Sequence, residues 1–430
     1  MQFQAYIQTE KYSNLKYVLL DFFKQETNLL LLDGNSQNGD SFDWAIAAGT
    51  ADEISIGEEN AFAQLQEFYN RHKDWVFGSL SYDLKNGLEQ LESNHPDGIE
   101  APGLHFFLPN YLFVCKDNRL FIYHHQSQEQ FDLEVLSSKY NSSVIGFVGT
   151  LKPKVCKSDY VANVSSIKEH IQRGDIYEMN YCQEFYAEKV GLNPLEVFRR
   201  LNGASNAPFS CYFKYGDRYL ISASPERYIK KEGKRIFSQP IKGTKKRGLN
   251  SEEDEQLKKS LYEDEKERSE NVMIVDLVRN DLSKISAKNT VVVDELFGMY
   301  TFDQVHHMIS TISCELDEGK TIKDVLEATF PMGSMTGAPK INVMKLIEKF
   351  EKTKRGLYSG AVGYISPEGN FDFNVVIRSI QYHSLNRYLS FMVGSAITIG
   401  SDPELEYEEC IIKVKAIFEV LEGKYAQTVS

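Results

Sequence analysis

The chain has 430 residues, room for two or three ordinary domains or one large mixed fold, and its 42% hydrophobic and 12% aromatic content excludes a disordered or collagen-like chain. Forty-eight basic against 61 acidic residues leave a net charge of −13 at pH 7. That argues against wrapping nucleic acid or coating an anionic membrane, while leaving room for one basic pocket.

The N-terminal MQFQAYIQTEKYSNL lacks the basic flank and apolar core of a signal peptide. No apolar run approaches ~18 residues, so no membrane span is expected. Cys115, Cys156, Cys182, Cys211, Cys314 and Cys410 form no CxxC pair and no cluster with histidine, which suits buried thiols in a reducing cytoplasm rather than disulfides or zinc. Residues 1–147 alternate short apolar strands with turn-rich pieces such as LLLLDGNSQNGDS and include the aromatic segment WVFGSLSYDLKNGLE. A connector follows at 148–160, where Ser158 and Asp159 are placed to cap a helix. Val161, Val164, Ile167 and Ile171 recur at helical spacing, Gly174 ends that helix, and IYEMNYCQEFYAEKV alternates as a strand.

Beyond FSQPIKGTKKRG the acidic stretch 251–281 predicts one helix, its early carboxylates suiting the positive end of the helix dipole. GAVGYISPEGNFDFNVVIRSIQY reads as strand, turn, strand, and YLSFMVGSAIT as a further strand. In the closing helix Asp402 suits the N-cap and Pro403 the first helical position. Strands mixed with separated helices, without βαβ repetition, predict an α+β fold.

Several residue types stand where chemistry could use them. Lys242 lies between Ile241 and Gly243, apart from the solvated run of Lys245, Lys246 and Arg247. Glu267 and Glu270 on one helix, and Glu406 and Glu409 on another, are each three apart, so each pair shares a face. Four such carboxylates suit a hard cation such as Mg²⁺, although a glutamate-rich helix face is more often merely solvated. Lys413 follows Glu409 by four residues. Glu226 follows Pro225 at a strand entry; a partly apolar site would make it a general acid, and the plainer reading pairs it with Arg227. FPMGSMTGAPK precedes a helix and could cradle an anion, and one of His306 and His307 is expected to face inward. Arg378, among apolar neighbours, is the carboxylate-binding candidate on composition. No GxGxxG, P-loop or GxSxG elbow occurs, nor a thiol in a nucleophile turn for glutamine hydrolysis.

From about residue 157 to 422 the chain resembles the chorismate-utilising enzymes: anthranilate synthase component I, aminodeoxychorismate synthase component I, and the isochorismate and salicylate synthases. SASPERY, PIKGT, ERSENVMIVDLVRNDL, VHHMIST, FPMGSMTGAPK, GAVGYIS, VVIRS and DPELEYEEC carry the resemblance in the family's order. It implies a sandwich of two large antiparallel sheets, with 1–147 as its N-terminal part and 157–422 as the chorismate-binding region. PIKGT resembles the aminodeoxychorismate synthase branch of p-aminobenzoate and folate synthesis, where anthranilate synthases have PIAGT. The resemblance implies a neutral Lys242 as covalent nucleophile and Glu226 as general acid. Mg²⁺ would be held by Glu267, Glu270, Glu406 and Glu409. Thr244, His307, Tyr364, Arg378, Lys413 and the amide of Gly394 would line the pocket and hold substrate carboxylates. Chorismate and ammonia would be the substrates, with ammonia delivered by a glutamine amidotransferase. An anthranilate synthase component I and a non-catalytic chorismate- or tryptophan-binding subunit are the alternatives. Met332, Ser395, Ala396 and Glu178 depart from the family's pattern. At position 178 water-using members carry lysine and amino-transferring members glutamine.

Overall fold

The computed structural model describes residues 1–9, 14–35, 42–125, 133–134, 147–303 and 305–422. Two antiparallel sheets face one another. The larger, twelve-stranded sheet runs in the order Gln2–Gln8, Arg119–His124, Tyr111–Lys116, Trp44–Ala48, Asn28–Asp33, Phe209–Tyr215, Arg218–Ser224, Ser379–His383, Tyr388–Ile397, Glu178–Ala187 and Gly337–Ala338, with Lys152–Pro153 on the side. The ten-stranded sheet begins at Ile241–Lys246 and passes through Val305–Glu315, Arg235–Gln239, Arg227–Glu232, Phe371–Val375, Ala361–Ile365 and Val76–Leu80 to Leu104–Leu108 and Asp52–Ile56; Val292–Thr301 pairs with Val305–Glu315. The N-terminal strands therefore form one end of each sheet and meet the later strands at a single junction in each. Asn28–Asp33 pairs with Phe209–Tyr215, and Val76–Leu80 with Ala361–Ile365.

Continuous apolar runs build these strands because both faces are covered. Leu29 and Leu31 enter the core under the helices Leu15–Phe22 and Pro194–Ser205, whereas Leu30 turns to the space between the sheets. Phe106 likewise packs beneath the helices Ala61–His72 and Ile322–Thr329, and its neighbour Phe107 faces the inter-sheet core with Phe77 and Phe213. The period of two thus sorts one run into separate cores.

Three local expectations need correction. The stretch 251–281 is two helices, Ser251–Tyr262 and Glu265–Ser283, because Asp264 accepts from the amides of Lys266 and Glu267 and starts a new N-terminus. Cys156, not Ser158 or Asp159, is the N-cap of the helix Lys157–Gln172, which places those two residues inside its first turn. The segment 371–383 is not one strand; the chain leaves the ten-stranded sheet at Val375 and enters the other at Ser379, with Arg378 at φ 51° between them. By contrast, Asp402 caps the final region as expected, accepting from the amides of Glu404 and Leu405 with Pro403 at the first position.

Phe107→Ala empties a fully buried position in the inter-sheet core. It should lower stability by about 3–5 kcal/mol, read from urea denaturation.

Candidate active site

Two chain crossings between the sheets lie side by side. One runs from Ser224 to Arg227 and carries Glu226; the other runs from Val375 to Ser379 and carries Arg378. They are tied together, the Val375 amide donating to the Glu226 carbonyl at 3.0 Å and the Ala223 amide to the Arg378 carbonyl at 3.1 Å. Glu226 is buried, and Ser334 of the 330–339 turn donates to its Oε1 at 2.7 Å. Burial raises its carboxyl to about 7, against the opposing pull of Ser334 and Lys242. Arg227 does not pair with it; that guanidinium binds Asp372 at 2.9 Å, which removes the rim-pair reading.

Lys242 projects from a bulge. Ile241 opposes Ile309 and Thr244 opposes His307, so one extra residue is inserted there, and Gly243 takes φ +97°. The bulge re-aims Lys242 toward the other sheet, where its Nζ donates to Glu178 Oε1 at 2.6 Å. Both side chains are buried, and Glu178 Oε2 has no partner among the described residues. Burial pulls the lysine down, but Glu178, Glu270 and Glu226 outweigh it and hold Lys242 above the ordinary lysine value. The expectation of a neutral amine therefore fails for the ligand-free site: the carboxylates around Lys242 keep it an ammonium.

Beside it, Thr244 Oγ1 and His307 Nδ1 are 2.8 Å apart, and burial together with the Arg378 charge depresses His307 to about 3, so its ring is neutral. Both histidines of the pair are buried, not one. His306 on the opposite face meets Asp254 at 3.0 Å. Lys413 reaches the Gly394 carbonyl at 3.2 Å and Glu409 at 2.5 Å. Any Cβ at Gly394 would stand 2.5 Å from Cys182 Sγ, so this strand must be glycine there. Ser395 turns its hydroxyl to Tyr160 at 3.0 Å, on the buried side. Met332 packs into the core beneath the ten-stranded sheet.

Tyr364 is not brought to this site. It lies on the strand Ala361–Ile365, facing the inter-sheet core, with ring centroids 5.4 Å from Phe42 and 5.4 Å from Trp75. Tyr358, six residues earlier, stands there instead. Its hydroxyl accepts from Cys182 Sγ at 3.9 Å, and its oxygen opposes the downward pull of burial on the Arg378 guanidinium. Tyr364 is implied by the family resemblance alone; the GAVGYIS motif contains it, whereas Tyr358 lies just before that motif.

The four glutamates gather on the helices Glu265–Ser283 and Pro403–Lys413. Burial raises Glu270 to about 8, and burial with the nearby Glu409 charge also raises Glu267. Burial works against ionisation of Glu409 as well, but Lys413 outweighs it. Lys266 sits between the helices, 3.0 Å from Glu406 and 3.8 Å from Glu270. Among the described residues no three carboxylate, histidine or cysteine side chains converge as a ready metal cage. The chemistry of the set nevertheless fits a hard cation: crowded carboxylates, a buried Glu270 Oε1 without a hydrogen-bond donor among the described residues, and a lysine ammonium already drawn between them.

The family model described as chorismate binding enzyme matches residues 21–419. The chain belongs to this family. Anthranilate synthase component 1 of Acetivibrio thermocellus is 32% identical over 377 residues, covering 82% of this chain and 76% of that protein. Aminodeoxychorismate synthase component 1 of Klebsiella aerogenes is 31% identical over 386 residues, covering 88% and 85%. The crystal structure of anthranilate synthase component I from Streptococcus pneumoniae TIGR4 superposes with a TM-score of 0.76 at 27% identity, covering 88% of this chain and 92% of that one. The α+β sandwich of two large antiparallel sheets expected from sequence is therefore the observed fold, and the protein is an enzyme using chorismate. No helix among the described residues is long and apolar enough to cross a membrane.

Two outcomes follow for Glu226. Its carboxyl should titrate near pH 7 by carbon NMR of the labelled side chain. Removing the hydroxyl with Ser334→Ala should move that titration upward, because the bond favours the ionised form.

Proposed function

We propose that this chain is the chorismate-aminating component of an aminodeoxychorismate synthase, converting chorismate and ammonia to 4-amino-4-deoxychorismate for p-aminobenzoate and folate synthesis. The observation that carries this reading is a lysine, Lys242, buried at the cleft between the sheets with Glu226 and Glu270 acting on its charge. A buried lysine beside an acid that keeps a large protonated fraction near pH 7 is the equipment of nucleophilic substitution with leaving-group protonation. Lys242 would attack C2 while Glu226 protonates the C4 hydroxyl; ammonia would then add at C4 and release the lysine.

Arg378, Lys413, Tyr358 and the Gly394 amide would hold the substrate carboxylates, with Thr244 and His307 lining the pocket. Glu267, Glu270, Glu406 and Glu409 would hold Mg²⁺, whose charge would neutralise the carboxylate cluster and tether the ring carboxylate. Lys266 would give up its place between Glu406 and Glu270. Because relatives are named component 1, ammonia is assigned to a separate glutamine amidotransferase, in a cytoplasmic complex.

A second reading, anthranilate synthase component I, is favoured by a relative of that name at 32% identity, against 31% for the aminodeoxychorismate synthase relative. Incubation with chorismate, Mg²⁺ and an ammonium salt separates the two. Aminodeoxychorismate is expected, and anthranilate fluorescence without added lyase would overturn the assignment. Lys242→Ala should lower amination by about 10³-fold or more; unchanged turnover would remove the nucleophile role.

A further inference from the structure

We propose that Glu178 is the base that takes the proton of Lys242 as the covalent adduct forms and returns it as the lysine leaves. The inference rests on the aminodeoxychorismate synthase reading and adds a catalytic residue to it. Contact is the first ground: Glu178 Oε1 lies 2.6 Å from the very nitrogen that must lose a proton before it can attack. Enclosure is the second. Glu178 is 1% exposed, and its Oε2 is buried without a partner among the described residues, so that oxygen is engaged by no competing donor there.

The third ground is the occupation of the alternatives. Glu178 from the twelve-stranded sheet, Glu226 from a crossing and Glu270 from a helix are the carboxylates acting most strongly on Lys242; Lys242 also acts on Glu267 and Glu409. Glu226 is bound by Ser334 and serves as the acid, and the other three belong to the cation cluster. That leaves Glu178, the member of this group in hydrogen-bond contact with the lysine nitrogen. A glutamine there would accept the same hydrogen bond but could not take the proton.

The protons balance. At rest the pair is an ammonium and a carboxylate. Transfer to Glu178 frees the Lys242 lone pair; the C2–N bond forms as the C4–O bond breaks, and Glu226 donates to the departing hydroxyl, which leaves as water. The adduct is a secondary ammonium beside a neutral Glu178. Ammonia next forms the C4–N bond while the bond from C2 to Lys242 breaks, and the lysine departs as a neutral amine. Glu178 hands back its proton, and the new C4 ammonium gives one to Glu226. One chorismate and one ammonia become one aminodeoxychorismate and one water, with each side chain restored.

The test mixes full-length protein rapidly with chorismate and Mg²⁺, without ammonia, and follows the Lys242 adduct by intact-protein mass spectrometry. Glu178→Gln should form it about 10²-fold more slowly or worse at pH 7, with chorismate affinity by calorimetric titration little changed. The deficit should narrow as pH rises and hydroxide takes over the proton. Glu178→Asp, which keeps a base at shorter reach, should fall between the two. Adduct formation by Glu178→Gln at or above the wild-type rate at pH 7 would overturn the proposal, since the carboxylate would then merely keep the lysine charged. Should the glutamine variant not fold, a wild-type rate in Glu178→Asp, or weakened chorismate binding accounting for its loss, overturns it equally. Absence of any Lys242 adduct in the wild type is a separate result, and it would remove the nucleophile reading itself.

Discussion

One ion pair holds the logic of this molecule together. Lys242 comes from the ten-stranded sheet and Glu178 from the twelve-stranded one, so their contact closes the cleft between the sheets. An ammonium taken out of water survives only with carboxylates beside it, and removing one partner of such a pair typically costs about 3–5 kcal/mol. Under the proposed function a bound cation would act on that balance, because Glu270, one of the glutamates assigned to it, also acts on the charge of the lysine.

Around the pair, the polar groups come from places where regular structure is interrupted. Glu226 and Arg378 occupy neighbouring sheet crossings, Lys242 a bulge, and Ser334 the turn before the helix Lys340–Phe350. The backbone at these points has left a ladder, so its side chains escape the in-or-out choice of a strand. Backbone hydrogen bonds between the two crossings hold the segments that carry the acid and the guanidinium side by side.

That arrangement explains what was legible beforehand. Alternating and continuous apolar runs gave the strands, and the spacing of Glu267 with Glu270 and Glu406 with Glu409 put carboxylates on shared helix faces, as found. The order of motifs carried the family. Pattern failed where tertiary structure overrides a local period. The family resemblance also misplaces one residue: Tyr364 lies on a strand and faces the inter-sheet core, whereas Tyr358 reaches the site from a turn. Arg378 looked like a strand residue because its neighbours are apolar, yet those neighbours belong to two different sheets. The protonation of Lys242 was invisible for a related cause: its principal partner, Glu178, lies 64 positions away.

The junction of N-terminal and later strands in each sheet has its own bearing on how the chain could be shortened or divided. Cutting away the first 147 residues would strip a neighbour from Phe209–Tyr215 and another from Ala361–Ile365, leaving a raw hydrogen-bonding margin on each half of the sandwich. The segment that bears the chemistry is therefore not a self-sufficient module: its own ribbons are completed by the part of the chain that carries none of the reacting groups.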